Sequence, residues 1–389
     1  MKIFDKAFRV MQQLEQHGHE AYLVGGAVRD FLIGKTVGDL DIATSALPEQ
    51  VMEVFDKVIP IGIEHGTVLV RYEKESFEIT TFRTEGTYSD HRHPDSVHFV
   101  TDITADLARR DYTVNAIAMN RDEELVDPFD GRGAITNEKL VTVGKAFDRF
   151  EEDPLRMMRG VRFVSQLGYK LDHDARKVME EQRLWLKRIA IERVAVEMEK
   201  LCGGSHVKKA VELLVDTKLW EAMPIFCDHP ELMDELSQDI KPLGSLAEWV
   251  ALCSLKSGRP VMDWVKEWKL SNAIKQDALN LVNIMHSKLD AWSVYQLPGH
   301  LDASYIRLME ICKHTEVLDE LSSFRTQLPI RGSSELSISG KDLISWFPDR
   351  KKGSWIRDLL LACEKAVVEN KVKNDRIQLK EWIMHEYDA

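Results

Sequence analysis

Leu23-Val-Gly-Gly-Ala-Val-Arg-Asp30, followed by Gly38-Asp-Leu-Asp-Ile-Ala43, is the stretch on which the reading of this chain turns. Ala21–Val24 reads as a strand and Ala27–Ile33 as a short helix, with Gly34 suited to its C-terminal turn. Gly25 and Gly26 between them let the backbone approach phosphate oxygens, where free N–H groups and a helix dipole favour anions. Arg29, one turn into that helix, adds a donor suited to phosphate. Asp39 and Asp41 stand at i and i+2 in what reads as a short strand. Their carboxylates then share one face, while Leu40 and Ile42 take the other. Two adjacent carboxylates repel, and both stay ionised most easily with a cation between them. Mg²⁺ prefers carboxylate oxygens together with substrate phosphates, which suits the pair. An Asp-x-Asp by itself is more often a solvated turn. The glycine turn just before it makes a triphosphate–metal site the better account.

Outward from this stretch, residues 1–145 read as mixed α/β. An amphipathic helix covers about residues 4–17, and further strands are expected at Thr67–Tyr72, Phe77–Phe82 and Ser96–Val100. Lys74-Glu75-Ser76 separates the first two of these and predicts a hairpin. Glu78 alternates with Phe77 and Ile79, so it lies on the opposite face and is the candidate third carboxylate for a site holding two metals. From about residue 146 the apolar spacing turns helical and stays so. Helices are expected at Leu155–Leu167, Asp174–Lys187, Ile191–Leu201 and Val207–Leu219. Proline and glycine around Pro224–Pro242, and again over Leu328–Ser339, suggest joints between helical subdomains. The architecture expected is one α+β head followed by a long all-α remainder.

Composition narrows little further. The 389 residues suggest two to four domains. A net charge of −12 argues against a protein that coats nucleic acid, though not against a local basic cleft. No apolar run approaches the roughly 20 residues of a membrane span, and the first residues lack the apolar stretch of a signal peptide. A cytoplasmic, membrane-free protein is the expectation. The cysteines Cys202, Cys227, Cys253, Cys312 and Cys363 are odd in number and scattered, which suggests neither a disulfide framework nor a zinc site. His173-Asp174 has the look of a metal-phosphohydrolase doublet but lacks that site's other ligands, so a surface pair is expected.

Two more segments are informative: Arg109-Arg-Asp-Tyr-Thr-Val-Asn-Ala116, and Glu152-Asp-Pro-Leu-Arg156 with Glu192-Arg-Val-Ala-Val-Glu197 beyond it. Pro154 suits a first helical position, which makes Asp153 a natural N-cap. Arg156, Arg159 and Arg162 then recur every three residues on one face, while Met157, Met158, Val161 and Val164 pack on the other. A carboxylate acceptor beside a guanidinium fork can complement the Watson–Crick edge of a base. Arg193 and Glu197 have the spacing of an ordinary helix ion pair, and are read as support for the base-reading residues.

Together with the opening stretch, these segments resemble the polymerase β-type nucleotidyltransferases, and among them the bacterial-type class II CCA-adding enzymes and their poly(A) polymerase relatives. They occur in the family's order over about the first 200 residues. Tyr112 and Val114 stand where Phe and Ile are common. The resemblance implies a nucleotidyltransferase head (1–145), an all-α neck that selects the nucleotide (146–205), a body (206–300) and a tail that binds tRNA (301–389). It implies template-independent addition of CTP- and ATP-derived nucleotides to a tRNA 3′ end, with Mg²⁺ at Asp39 and Asp41 and assistance from Glu78. Gly26, Arg29, Arg110, Arg159 and Arg162 would then hold phosphates, and Asp153 and Arg156 would read the base. The polar segment Arg83–Asp95 resembles the family's flexible specificity loop at full length, which favours complete CCA addition. Ser339–Ile344 and Arg350–Arg357 resemble the part of the tail that grips the tRNA elbow. A homodimer stays open. So do a poly(A) polymerase, a CC-only or A-only enzyme on the same scaffold, and a catalytically inert RNA-binding protein.

Overall fold

Apolar residues at helical spacing place Ala7, Val10, Met11 and Leu14 on one buried face of α1 (Asp5–Gln16), and this face lies against a mixed sheet. The structure, a computed structural model, describes residues 4–86, 96–313 and 318–387. The sheet's strands are β1 (Ala21–Val24), β2 (Asp41–Thr44), β3 (Val58–Gly62), β4 (Thr67–Tyr72) and β5 (Glu75–Thr81), with β8 (Ala118–Met119) and β9 (Leu125–Val126) further along the chain. Their order is β3-β4-β5-β2-β1-β8-β9. The β2–β5 pair is parallel and the others are antiparallel. Two short strands, β6 (Arg83–Glu85) and β7 (Val97–Phe99), form a separate ribbon.

The strand period of two divides the residues between two faces. Leu23, Ile42, Val68, Val70, Phe77 and Ile79 are buried against α1, α2 (Gly26–Leu32) and α3 (Pro48–Val54). Val24 and Ala43 join Phe82, Ile103, Leu107, Ala116 and Ala118 in a second core under α4 (Ile103–Ala108). Asp41 and Glu78 belong to this second face, and they are direct cross-strand partners.

Three expectations are corrected here. Asp39 lies in the irregular segment leading into β2, which begins at Asp41, so the two aspartates are not strand neighbours. The β4–β5 turn is Glu73-Lys74, both with positive φ (46° and 67°), and β5 already starts at Glu75. That is the two-residue turn whose twist matches a hairpin, reached here without glycine. The edge strand β3 and the two-residue strands β8 and β9 were not expected at all. Of the segment Arg83–Asp95, residues 87–95 lie outside the described residues.

After α5 (Gly131–Thr136) the chain runs through α6 (Ala146–Glu152), α7 (Leu155–Leu167), α8 (His173–Glu181), α9 (Ile191–Cys202), α10 (Val207–Asp216) and α11 (Pro230–Asp239). The helix expected over Asp174–Lys187 breaks after Glu181 into a 3₁₀ turn, Arg183–Arg188. Helicity is not unbroken, because β10 (Lys139–Leu140) pairs in parallel with β11 (Lys170–Leu171). Gly168, with φ of 77°, ends α7 in the left-handed conformation that glycine adopts cheaply. Within α7, Gly160 leaves room for Tyr112, whose hydroxyl donates to the Arg156 carbonyl at 2.9 Å. A Cβ at position 160 would sit 2.2 Å from that hydroxyl.

The chain divides into two units, Met1–Pro242 and Leu243–Ala389. Among its described residues the second has only helices as regular structure: α12 (Leu246–Ser257), α13 (Val261–Glu267), α14 (Asn272–His286), α15 (Ala291–Gln296), α16 (Asp302–Ile311), α17 (Leu318–Gln327), α18 (Gly340–Trp346), α19 (Trp355–Val368) and α20 (Arg376–Glu386). Glu248 is wholly buried on α12 and accepts from Arg307 (2.6 and 2.9 Å), the Ser304 hydroxyl (2.7 Å) and the Gly244 amide (2.9 Å). A buried charge met by four donors is satisfied and ties α12 to α16. No described helix is long and apolar enough to cross a membrane.

Candidate nucleotide site

The end of β1, the start of β2 and the glycine turn converge on a cleft of about 810 Å³ in the first unit. Gly25 adopts φ of 72° and ψ of −136°, a conformation L side chains rarely take. A Cβ there would stand 3.2 Å from Arg110 Nη1 and 3.8 Å from Asp41 Oδ2. Glycine thus lets a guanidinium and a carboxylate approach the turn together. Arg29 leaves α2 into the cleft, with Nε donating to Asp30 Oδ1 (2.9 Å) and Nη1 to Asn115 Oδ1 (2.6 Å).

Asp41 and Glu78 both line the cleft, whereas Asp39 is exposed and does not. Burial, then the charge of Glu78 and also that of Asp39, push the Asp41 carboxyl up to about 6, against the opposing pull of Arg110. The cleft as a whole is lined by more arginines than carboxylates, but at Asp41 burial and the neighbouring carboxylates outweigh the pull of Arg110. This is the condition a divalent cation relieves, and carboxylate oxygens suit such an ion. Among the described residues no three His, Cys, Asp or Glu side chains form a closed ligand group. An ion here would complete its shell from outside the chain, as Mg²⁺ does with waters and phosphates.

The opposite wall is α7. Arg156, Arg159, Arg162 and Phe163 line the cleft from this helix. Arg159 meets Asp111 Oδ2 at 2.6 Å. Burial by itself would raise Asp111, but the charge and hydrogen bond of Arg159, with the Tyr112 amide, overcome it and hold the carboxyl at about 2. Arg162 Nε lies 2.8 Å from Glu197 Oε2. Asp153 accepts from the Leu155 amide through Oδ1 (3.0 Å) and from Arg193 Nη2 through Oδ2 (3.0 Å). It performs the capping role expected of it, although α7 begins only at Leu155 and Asp153 also closes α6. Arg156 donates to Glu152 Oε2 (2.6 Å), to the Arg149 carbonyl (3.2 Å) and to the Arg109 carbonyl (3.1 Å).

The expected ion pair within α9 is therefore corrected. Arg193 and Glu197, one turn apart, reach instead to Asp153, just ahead of α7, and to Arg162 on that helix. Periodicity along one helix cannot reveal a partner some forty residues away, which is why the local pairing looked sufficient.

The structure adds residues given no role in the sequence. Asp106, 1% exposed, accepts from Arg109 Nε (3.0 Å), Arg110 Nη2 (3.3 Å) and the Arg83 amide (3.3 Å). Glu85 in β6 accepts from Arg83 (2.8 Å) and Arg109 (3.1 Å), and so ties that ribbon to the cleft arginines. The i, i+3 and i, i+4 spacing of Asp106 to Arg109 and Arg110 was a usable signal. Burial of Asp111 and Phe163 was not legible, because α7 meets the segment around Asp111 and Tyr112 only in the folded chain. His173 and Asp174 are 88% and 87% exposed, a surface pair. Each of the five cysteines is free.

Residues 21–141 match the family model described as the Poly A polymerase head domain. Residues 168–229 match a probable RNA and SrmB-binding site of polymerase A, and 244–383 a putative tRNA nucleotidyltransferase domain 2. The CCA-adding enzyme of Oceanobacillus iheyensis is 41% identical over 388 residues, which is 98% of this chain and 97% of that protein. The chain belongs to the CCA-adding enzyme family. Its members are tRNA nucleotidyltransferases, and such enzymes use divalent metal ions. The solved CCA-adding enzyme of Bacillus stearothermophilus, in complex with CTP, superposes with a TM-score of 0.85 at 35% identity, covering 99% of this chain and 98% of that one. That of Thermotoga maritima, complexed with a tRNA, shares the fold at a TM-score of 0.61 and 18% identity over 98% of this chain and 94% of that one.

Proposed function

We propose that this member of the family adds CCA to tRNA 3′ ends from CTP and ATP, without a nucleic-acid template. The observation that carries the reading is one cleft with two dissimilar walls: carboxylates at Asp41 and Glu78, and arginines along α7. The 3′-hydroxyl oxygen attacks the α-phosphorus in line, the P–O bond to the β-phosphate breaks, and pyrophosphate leaves. Asp39 and Asp41 would hold Mg²⁺, with Glu78 beside them; Asp39 reaches this role from the irregular segment ahead of β2. Bound cations would lower the pKa of the attacking hydroxyl and neutralise triphosphate charge. The Gly26 turn, Arg29, Arg110, Arg159 and Arg162 take the phosphates. Asp153 and Arg156 meet the base edge: Asp153 keeps acceptor lone pairs beside its contact with Arg193, and Arg156 exchanges Glu152 for the base. The division into head (1–145), neck (146–205), body (206–300) and tail (301–389) is part of this reading, with the tRNA body held by the later parts.

The chain is tested by incubation with a tRNA lacking its CCA end and labelled CTP or ATP, separately and together. Two cytidylates with CTP alone, and one adenylate more when ATP joins, are expected. Long tails from ATP alone would reassign the chain to poly(A) synthesis. Asp41→Ala should abolish incorporation while leaving folding and tRNA binding in place; unchanged activity would refute the carboxylate site.

A further inference from the structure

Three guanidiniums that face the cleft converge on one aromatic ring. Arg29 on α2 and Arg159 and Arg162 on α7 place their central carbons 5.4, 5.5 and 4.3 Å from the centroid of Phe163. Phe163 is 3% exposed, lines the cleft, and is held by an edge-on contact with Tyr112, with centroids 5.8 Å apart at 81°. Each arginine is also tethered outward, Arg29 to Asn115, Arg159 to Asp111 and Arg162 to Glu197. Like charges brought together in a partly dry cleft repel, and tethers on their outer sides do not fix the guanidiniums relative to one another. A ring quadrupole attracts cations within about 6 Å without neutralising their charge, so the guanidiniums stay available to an anion. A carboxylate at the same place would consume them.

We propose that Phe163 is a positioning residue that pre-organises Arg29, Arg159 and Arg162 for the triphosphate. The assignment rests on the reading of the cleft as a nucleotide site. The ring acts through its electron-rich π-system and not only through its volume, and it touches neither base nor reacting atoms.

Titration calorimetry of the Mg²⁺-loaded full chain with inorganic tripolyphosphate, CTP and cytidine tests this. Phe163→Leu should weaken tripolyphosphate and CTP about tenfold, the sum expected of two or three modest cation–π contacts, and leave cytidine unchanged. In turnover the loss should fall on KM for the nucleotide and not on kcat. Replacing Phe163 by phenylalanines of increasing ring fluorination keeps the shape, withdraws π-density, and should weaken tripolyphosphate stepwise. This series decides the matter if the leucine variant fails to fold. A flat response across it, or equal loss of cytidine and tripolyphosphate in Phe163→Leu, overturns the assignment. Failure of the native chain to extend tRNA would sink the proposed function alone, since the fluorination series reads anion binding directly.

Discussion

Asp41 is a residue whose folded environment works against its own charge. Its carboxyl rises to about 6 from an unfolded value near 3.8, so the native state holds the proton more tightly between these values. Without metal, the contribution of Asp41 to stability is full below about pH 4 and is lost as pH rises through about 6. The cost above pH 6 is about 2 kcal/mol once partial exposure is allowed for. Asp41→Asn removes the charge, and should raise the metal-free melting temperature by roughly 3–6 °C at pH 7.5 in calorimetry while incorporation is lost. Mg²⁺ should then raise the melting temperature of the native chain but not of the variant. For the native chain, metal affinity should fall about tenfold per pH unit on acidification below pH 6, because the proton competes for the same oxygens. A variant less stable than the native chain at pH 7.5 without metal would contradict this account. The sequence showed that Asp41 was charged and near a glycine turn suited to phosphate. It could not show that Asp39 falls outside the strand, because the i, i+2 spacing is the same whether or not the backbone there is extended.

At the scale of elements, α9 is the support on which the arginine face of α7 rests. Arg193 holds Asp153 at one end, and Glu197 holds Arg162 two turns further along. On the proposed reading the two contacts serve different parts of a nucleotide, so their loss should separate kinetically. Arg193→Ala should reduce discrimination between CTP and ATP about tenfold, measured as the ratio of kcat/KM values on tRNA ends awaiting C or A. Glu197→Gln should raise KM for both nucleotides and leave that ratio unchanged. Identical effects from both variants would mean that α9 acts only as packing. The helices themselves were legible: the apolar spacing placed α7 and the start of α9 correctly, since long periodic segments declare their type. Strands β3, β8 and β9 were not, for Val58-Ile-Pro-Ile-Gly62 carries a proline at an edge and the others are two residues long. Their hydrogen bonds exist only once β4 and β1 are in place.

For the molecule as a whole, a net charge of −12 must coexist with a polyanionic substrate. Basic residues then have to be concentrated where RNA lies. On the proposed reading one such place is the segment Arg350–Arg357 at the start of α19, where Arg350 stacks 4.7 Å over Trp355 and Lys351 and Lys352 are exposed. Reversing both lysines to glutamate should raise KM for tRNA several-fold at moderate salt, reduce its salt dependence by about one to two counterions, and leave KM for CTP unchanged. No change in KM for tRNA would place the RNA elsewhere on the chain. A scaffold that keeps a TM-score of 0.85 at 35% identity has absorbed many substitutions, and the order in which they arise matters. Tyr112 and Gly160 show how. The tyrosine hydroxyl occupies the space a side chain at 160 would need, so alanine there, normally about 1 kcal/mol better in a helix than glycine, is harmful while the hydroxyl remains. Thermal melts should find Gly160→Ala destabilising alone and neutral or stabilising beside Tyr112→Phe. History at these two positions then runs one way: the hydroxyl must leave before the methyl can arrive, and a lineage that takes the steps in reverse passes through a weaker protein.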